Sequence, residues 1–294
     1  MKSIISLSIL ISLFTACSST KNIAQQDQEK KDITFYLQDL NSLGHDTTDY
    51  VFLFNEGFRT IYYGENDRGN ALMSYALSLS DSIRNHDYQL WSSKNTKNGN
   101  YAIAIDKLEK SIQIKPQEES AYYGWVLLYY YRDYKKALRI LELQDEYTPN
   151  FSDAPVGEDI HYLKGLCHMQ LQHYQIAIDE FNTYINNLAI THGEDFVDVY
   201  TFVQKGRCLS KLGKFEEAIQ SYQKAIKYYQ DCTEAYYFTG LTQIKMRQKS
   251  KACNNFNTAL EMINKGEKST NLYVELFHEI YPQQIEQSIK EFCK

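Results

Sequence analysis

From Ile33 onward, apolar side chains recur with the period of an α-helix and keep that period to the end of the chain. Only four prolines, with 13 glycines, favour helix over a sandwich or barrel. The helical pattern itself repeats. Gly206-x11-Ala218-x3-Tyr222-x2-Ala225 returns as Gly240-x11-Ala252-x3-Phe256-x2-Ala259, every position shifted by 34 residues. Upstream, Gly165-x11-Ala177-x3-Phe181-x2-Tyr184 keeps the frame, and a seven-residue insertion around Ile190 to Asp195 precedes the next copy. Trp125-x11-Ala137-x3-Leu141-x2-Gln144, closed by Pro149, and the weaker Ser92-x11-Ala104-x3-Leu108-x2-Ser111, closed by Pro116, extend the series. A faint first copy contains Ala71, Tyr75 and Ser78.

This spacing predicts pairs of helices joined by short turns. The glycine or small residue of each first helix lets the second approach closely, the alanine is its counterpart, and the large residue four positions later fills the space between them. Aromatic residues at Tyr101, Tyr134, Tyr174 and Phe215 are expected to seal the turns, which Gly99, Gly213 and Asp133 occupy. Pro116 and Pro149 end second helices, where proline removes a helical donor.

These residues resemble the tetratricopeptide repeat, above all in Lys205 to Tyr229, KGRCLSKLGKFEEAIQSYQKAIKYY. The resemblance covers roughly Asn85 to Lys265 and extends weakly back to Val51; Gln144 and Tyr184 depart from it, standing where a small residue is usual. It implies an all-α, right-handed solenoid of helical hairpins. Residues 33–84 are then N-terminal helices with a degenerate repeat, 85–266 the repeats, and 267–294 a capping helix covering the last open face. Leu272, Leu276, Phe277, Ile280, Ile285, Ile289 and Phe292 set the apolar face of that cap, broken near Pro282.

The first residues change where such a body would work. Lys2 and a short apolar run from Ile4 to Phe14 lead to Thr15-Ala16-Cys17. The run is well below the ~18 apolar residues of a spanning helix. Small residues before a cysteine resemble the lipobox of bacterial lipoproteins, although leucine is usual where Phe14 stands. The resemblance implies cleavage of residues 1–16 and acylation of Cys17, and several acyl chains make a durable membrane anchor. Residues 17–32, polar through SSTKNIAQQDQEKKD, suit a flexible tether. The expected location is the cell envelope. Ser18 and Ser19, in place of an aspartate, favour the outer membrane, and a periplasmic orientation is the default.

A net charge of −6 argues against nucleic acid, which requires basic patches. The five cysteines beyond Cys17, at 167, 208, 232, 253 and 293, match no CxxC framework and leave any disulfide pairing open. No hydrolase elbow, phosphate loop or dinucleotide fingerprint is present, so a non-enzymatic protein without cofactor is expected. His278-Glu279 begins like a zinc-protease helix but lacks the second histidine. His161, His168 and His173, with Cys167 and Asp159, would bring metal-ligating types together, yet packing between helices is the stronger reading.

The 25 tyrosines exceed what a helical core needs. The repeat resemblance implies that first helices line a concave face. It points Tyr122, Tyr162 and Tyr237 there, with Tyr129 and Tyr130 one turn on, Tyr200 nearby, and Arg207, Lys211 and Lys245 as a positive patch. Tyrosine offers contact area at low entropic cost and keeps a polar tip. The expected function is a membrane-anchored scaffold holding a segment of an envelope protein. Carbohydrate capture, or immunity against a basic secreted toxin, are the alternatives. An insertion at Leu188 to Val199 folded over the groove would favour a small ligand; one pointing away would favour a peptide.

Overall fold

A computed structural model describes residues 32–80, 85–149 and 151–293. The expected signal sequence, Cys17 and nearly all of the expected tether lie outside the described residues. The described residues form an all-α stack of helical hairpins with fourteen helices. None is long and apolar enough to cross a membrane. The described residues divide into two compact units, one ending at Lys115 and the other beginning at Pro116.

The first unit contains α1 (32–42), α2 (Tyr50–Tyr62), α3 (Asn66–Ser78), α4 (Asn85–Lys97) and α5 (Tyr101–Ile114). Asp49 starts α2 by accepting the Val51 amide at 2.8 Å. Leu53, Ile61, Leu72, Met73 and Ala76 are fully buried between α2 and α3. A Cβ on Gly57 would fall 2.6 Å from Met73 Cγ. The first repeat therefore reads Gly57-x11-Gly69-x3-Met73-x2-Ala76, and this corrects the frame of Ala71, Tyr75 and Ser78, two residues late. Gly69 and Met73 replace the usual alanine and aromatic ring, which hid the copy. Between the two hairpins of this unit lies a buried amide network. Asn70 and Asn95 exchange side-chain bonds of 3.0 and 2.9 Å, and the Trp91 indole donates to Asn70 at 2.5 Å.

The second unit stacks α6 (Pro116–Val126) on α7 (Tyr134–Tyr147), then α8 (Ile160–Gln170) with α9 (Tyr174–Thr191). After these come α10 (Val199–Lys211) with α11 (Phe215–Tyr228), and α12 (Thr233–Lys245) with α13 (Lys249–Asn264). In α11, Glu216 and Glu217 sit in the first turn, where the helix dipole favours anions, and Ala218, Ser221, Tyr222 and Ala225 form one buried stripe. The Tyr222 ring lies against Gly206, where a Cβ would meet it at 2.4 Å; Phe181 on Gly165 and Phe256 on Gly240 repeat the contact.

The α6/α7 hairpin is different. Leu127–Tyr131 form a π-helical turn, which accommodates one additional residue. The glycine position is consequently Gly124, whose Cβ would sit 2.6 Å from Leu141, and not Trp125. The left-handed residue of its turn is Arg132 (φ 54°), while Asp133 caps α7 through the Lys136 amide at 3.1 Å.

Residues 265–281 are not helical, so the predicted cap is shorter than its apolar spacing suggests. Asn271 accepts the amides of Tyr273 and Val274 at 2.9 and 3.3 Å, a local turn that competes with helix. Helix α14 (Pro282–Phe292) begins only at Pro282, whose missing N–H suits a first helical position. A disulfide between Cys253 and Cys293 ties its end to α13. The other three cysteines within the described residues are buried and free, and burial pushes the thiols of Cys208 and Cys232 up to about 12.

Candidate functional site

The first helices α6, α8, α10 and α12 line the inner face of the second unit. Across it runs the segment 267–281, here called the arm. The arm leaves α13 through Gly266, whose φ of 90° turns the chain out of the helix. Near α12, the Ser269 amide donates to Glu234 at 2.8 Å. The arm then reaches α6. The Phe277 ring lies 5.3 Å from Tyr129 and 6.2 Å from Tyr134, with the Arg132 guanidinium 4.4 Å above it. Arg132 also donates to the Glu275 carbonyl at 2.7 Å, and Arg207 donates to the Phe277 carbonyl.

His278 stacks flat on Tyr200, centroids 3.9 Å apart and planes 6° from parallel. Gln204 faces its Nδ1 at 3.5 Å and Ser269 Oγ lies 2.9 Å from its Nε2. These partners suit a neutral ring with its proton on Nε2. Burial, and then the Arg207 charge, push the imidazole down to about 3. Ile280 follows, 2 % exposed in the cluster with Tyr237, Phe256 and Ile285.

The residues named from the sequence thus fall into three groups. Tyr129, Tyr200 and Arg207 touch the arm. Tyr162 and Tyr237 are buried between helices, not displayed along an open stripe. Tyr162 lies 6.0 Å from Phe181, and Tyr237 lies 5.9 Å from Phe256 with its hydroxyl 3.4 Å from Ser288. The reason is the glycine beside each ring, which draws the second helix in and closes the space around the tyrosine. Tyr122, Tyr130, Lys211 and Lys245 meet other neighbours. Tyr122 stacks on Trp125 at 6.3 Å, and Tyr130 meets Trp125 edge-on. Lys211 lines, with Arg207 and Gln170, an open pocket of ≈ 240 Å³. Lys245 donates to Ser210 Oγ at 3.1 Å.

Sequence reasoning missed Arg132, Trp125, Glu158 and Asp198. Glu158 accepts from the Trp125 indole at 2.6 Å and from the Tyr129 hydroxyl at 2.9 Å. Burial raises the carboxyls of Glu158 and Asp198, and Asp198 caps α10 by accepting the Tyr200 amide at 3.0 Å. The aspartates before α8 and α10 were readable as helix starts; Glu158 carries no signal of its own. The insertion turns outward. Glu194 bonds Lys224 and Tyr228 of α11, and Ile190 is 84 % exposed.

The histidines serve packing. His161 pairs with Glu180 at 2.7 Å, and Lys164 lies between Asp145 and Glu180. His168 faces His173 at 3.4 Å. His278 is part of the arm and not of a helix. Among the described residues, no three side chains of metal-ligating type converge.

The stretch from α10 to the start of α12 decides what kind of hairpin this is. Residues 199–232 match the family model described as tetratricopeptide repeat. This segment is a tetratricopeptide repeat. The fold around it is that of tetratricopeptide-repeat solenoids. It is similar to MamA, residue 41 to the end, from Desulfovibrio magneticus RS-1, with a TM-score of 0.53 and 16 % identity over 63 % of this chain and 98 % of that one. It is also similar to a chain of the APC/C hetero-tetramer Cut9–Hcn1, with a TM-score of 0.53 and 11 % identity over 90 % of this chain. There the chain spans less than half of the longer protein, 46 %. No curated protein matches the sequence significantly. Tetratricopeptide-repeat stacks offer extended inner surfaces to other polypeptides.

Proposed function

We propose that this protein is a scaffold of the bacterial cell envelope, anchored by an acylated Cys17 and without chemistry of its own, that holds a segment of a partner protein on the inner face of its second unit. One feature carries the proposal: that face already holds a non-helical stretch of polypeptide through ring stacking and arginine-to-carbonyl bonds. The outward-turned insertion does not close over this face, which suits a peptide better than an enclosed small ligand. The similar chain from the Cut9–Hcn1 hetero-tetramer belongs to an assembly of proteins, a use of the fold in line with this reading.

The envelope location is supported by the residues before Cys17 and by the Cys253–Cys293 disulfide, since such bonds persist in oxidising compartments. Two experiments test the proposal. Cys17→Ser should release the protein from membranes or leave an uncleaved precursor; normal processing and retention would remove the anchor. Crosslinked capture from native membranes should yield a specific protein with the wild type and lose it with Tyr200→Ala or Lys211→Glu. Absence of any specific protein would remove the scaffold. Carbohydrate capture is the second reading, favoured by the Tyr122–Trp125 stack beside Glu158, and glycan-array binding would bring it forward.

A further inference from the structure

We propose that residues 268–281 are an internal stand-in for the partner: the inner face recognises a non-helical segment that turns at an aromatic residue followed by an uncharged flat ring, and the arm must give way for that segment to bind. The inference rests on the scaffold reading above and adds to it the partner's chemistry and the device that controls access.

Recognition divides into two parts. Arg132 and Arg207 take the carbonyls of residues 275 and 277, two positions apart. Carbonyls belong to every polypeptide, so this clamp fixes a turned, non-helical backbone, in which the Glu279 amide bonds the Leu276 carbonyl at 3.1 Å, without reading sequence. The two ring sites do the reading. One is the Tyr129–Tyr134 slot under the Arg132 guanidinium, shaped for Phe277. The other is the Tyr200 face beside Gln204 and near Arg207, which favours a ring able to accept a hydrogen bond and carrying no positive charge. A segment from another protein with an aromatic residue and then a neutral histidine or an amide-bearing side chain meets the same contacts.

The arm is also built to leave. It has no helix of its own between residues 265 and 281, and its outer stretch spends apolar surface on solvent, with Leu272 95 % and Tyr273 60 % exposed. Segments with few buried apolar contacts open at low free-energy cost, well below that of global unfolding. Beyond the arm, α14 is held independently by Ile285, fully buried, and by the Cys253–Cys293 bond. Residues 268–279 can therefore peel away while Ile280 stays with Ile285 in the cluster that covers the end of the stack.

The probe is a fluorescent peptide copying Lys268–Tyr281, titrated by anisotropy into the full-length chain in detergent, with a scrambled peptide as control. The wild type should bind weakly because its own arm competes. Phe277→Ala with His278→Ala should bind at least tenfold more tightly, and adding Tyr200→Ala to that variant should abolish the gain. Hydrogen exchange supplies a measurement free of folding effects: saturating peptide should speed exchange in residues 268–281 of the wild type and leave α14 unchanged. A folded double variant that binds no better than the wild type, or an arm whose exchange ignores the peptide, overturns the inference. Peptide binding without any membrane partner would remove the scaffold reading alone, and a captured partner without peptide binding would remove this inference alone.

Discussion

The α10/α11 hairpin and the arm lie side by side in the second unit and are held by opposite means. The hairpin depends on shape. Gly206 has no Cβ, the Tyr222 ring fills the space, and the two helices are neighbours in sequence. The arm depends on directed contacts with residues between 34 and 143 positions away, from Thr233–Glu267 to Arg132–Glu275. Shape-filled contacts between adjacent helices form together and fail together. Point contacts on a non-helical strand can be lost one at a time, which makes one region permanent and the other exchangeable.

Gly206→Ala attacks the permanent side most directly. The added methyl would lie 2.4 Å from a ring that is 1 % exposed, so helix or ring must shift, and we expect a loss of about 3 kcal/mol in chemical denaturation. The arm should follow the hairpin, because Arg207 and Tyr200 ride on the same helix. A mutant of unchanged stability would show that the hairpin is looser than the glycine contact implies. Cys253→Ala with Cys293→Ala comes next. It removes a link spanning 40 residues, and we expect about 2 kcal/mol, confined to α14 and the arm. Protease mapping should show new cuts beyond residue 264 and none in α10 or α11; cuts in both regions would mean that the two are not separable.

Acid should weaken the arm alone. The His278 imidazole is held down to about 3 when docked, against an ordinary value near 6.5 when released. Its contribution is full above about pH 6.5 and is lost as pH falls from there toward 3, because the released state binds the extra proton. Between pH 7.5 and 5.5 the docking equilibrium constant should drop by a factor of about ten. Arg207, Gln204 and Tyr200 of α10, Glu234 of α12, and Lys268 and Glu279 of the arm surround the ring. The carboxyls of Glu158, Asp198 and Glu234 are raised by burial and work in the other sense, favouring the folded form as pH falls. His278→Gln isolates the effect. Once the slower intrinsic amide exchange at low pH is divided out, the protection of residues 268–281 should fall in acid for the wild type and much less for the variant; an equal fall would assign the change to the carboxyls.

The same contrast explains what could be read in the sequence. The hairpins follow a fixed frame, so Gly165, Gly206 and Gly240 announce their contacts with Phe181, Tyr222 and Phe256 through spacing alone. Where a frame slips, the reading slips with it. The π turn at Leu127–Tyr131 adds one residue and moves the glycine position from Trp125 to Gly124, and Gly69 and Met73 disguise the first copy. The arm was illegible for a different reason. Its apolar residues happen to fall at helical intervals, but Phe277 meets Tyr129 and Tyr134, Ile280 joins the cluster around Ile285, and Leu272 is exposed. Arg132 gains its role only when its turn and the arm are brought together, and Glu158 only when it meets Trp125 and Tyr129; no local spacing encodes either. The inner-face tyrosines were half legible: Tyr129 and Tyr200 meet the arm, whereas Tyr162 and Tyr237 are enclosed by the packing that the glycines create.

The smallest effect concerns the turns, where the permanent side still has room to improve. In the first and third of three successive positions the left-handed residue differs in kind: Gly213 (φ 78°) turns α10 into α11, while Gln172 (φ 64°) and Arg247 (φ 59°) do the same for α8/α9 and α12/α13. A side chain pays steric strain in that region that glycine does not. Gln172 is exposed, and its backbone amide bonds the Met169 carbonyl at 3.1 Å, a bond that glycine would keep. Gln172→Gly should therefore raise stability by about 0.5–1 kcal/mol, reduced by the extra freedom that glycine has in the unfolded chain. The gain should appear in denaturant melts of the hairpins and leave arm exchange unchanged, since Gln172 makes no arm contact. A gain that also slowed exchange in residues 268–281 would mean that the arm's opening is governed by the stack beneath it, and the division between a permanent frame and an exchangeable arm would have to be redrawn.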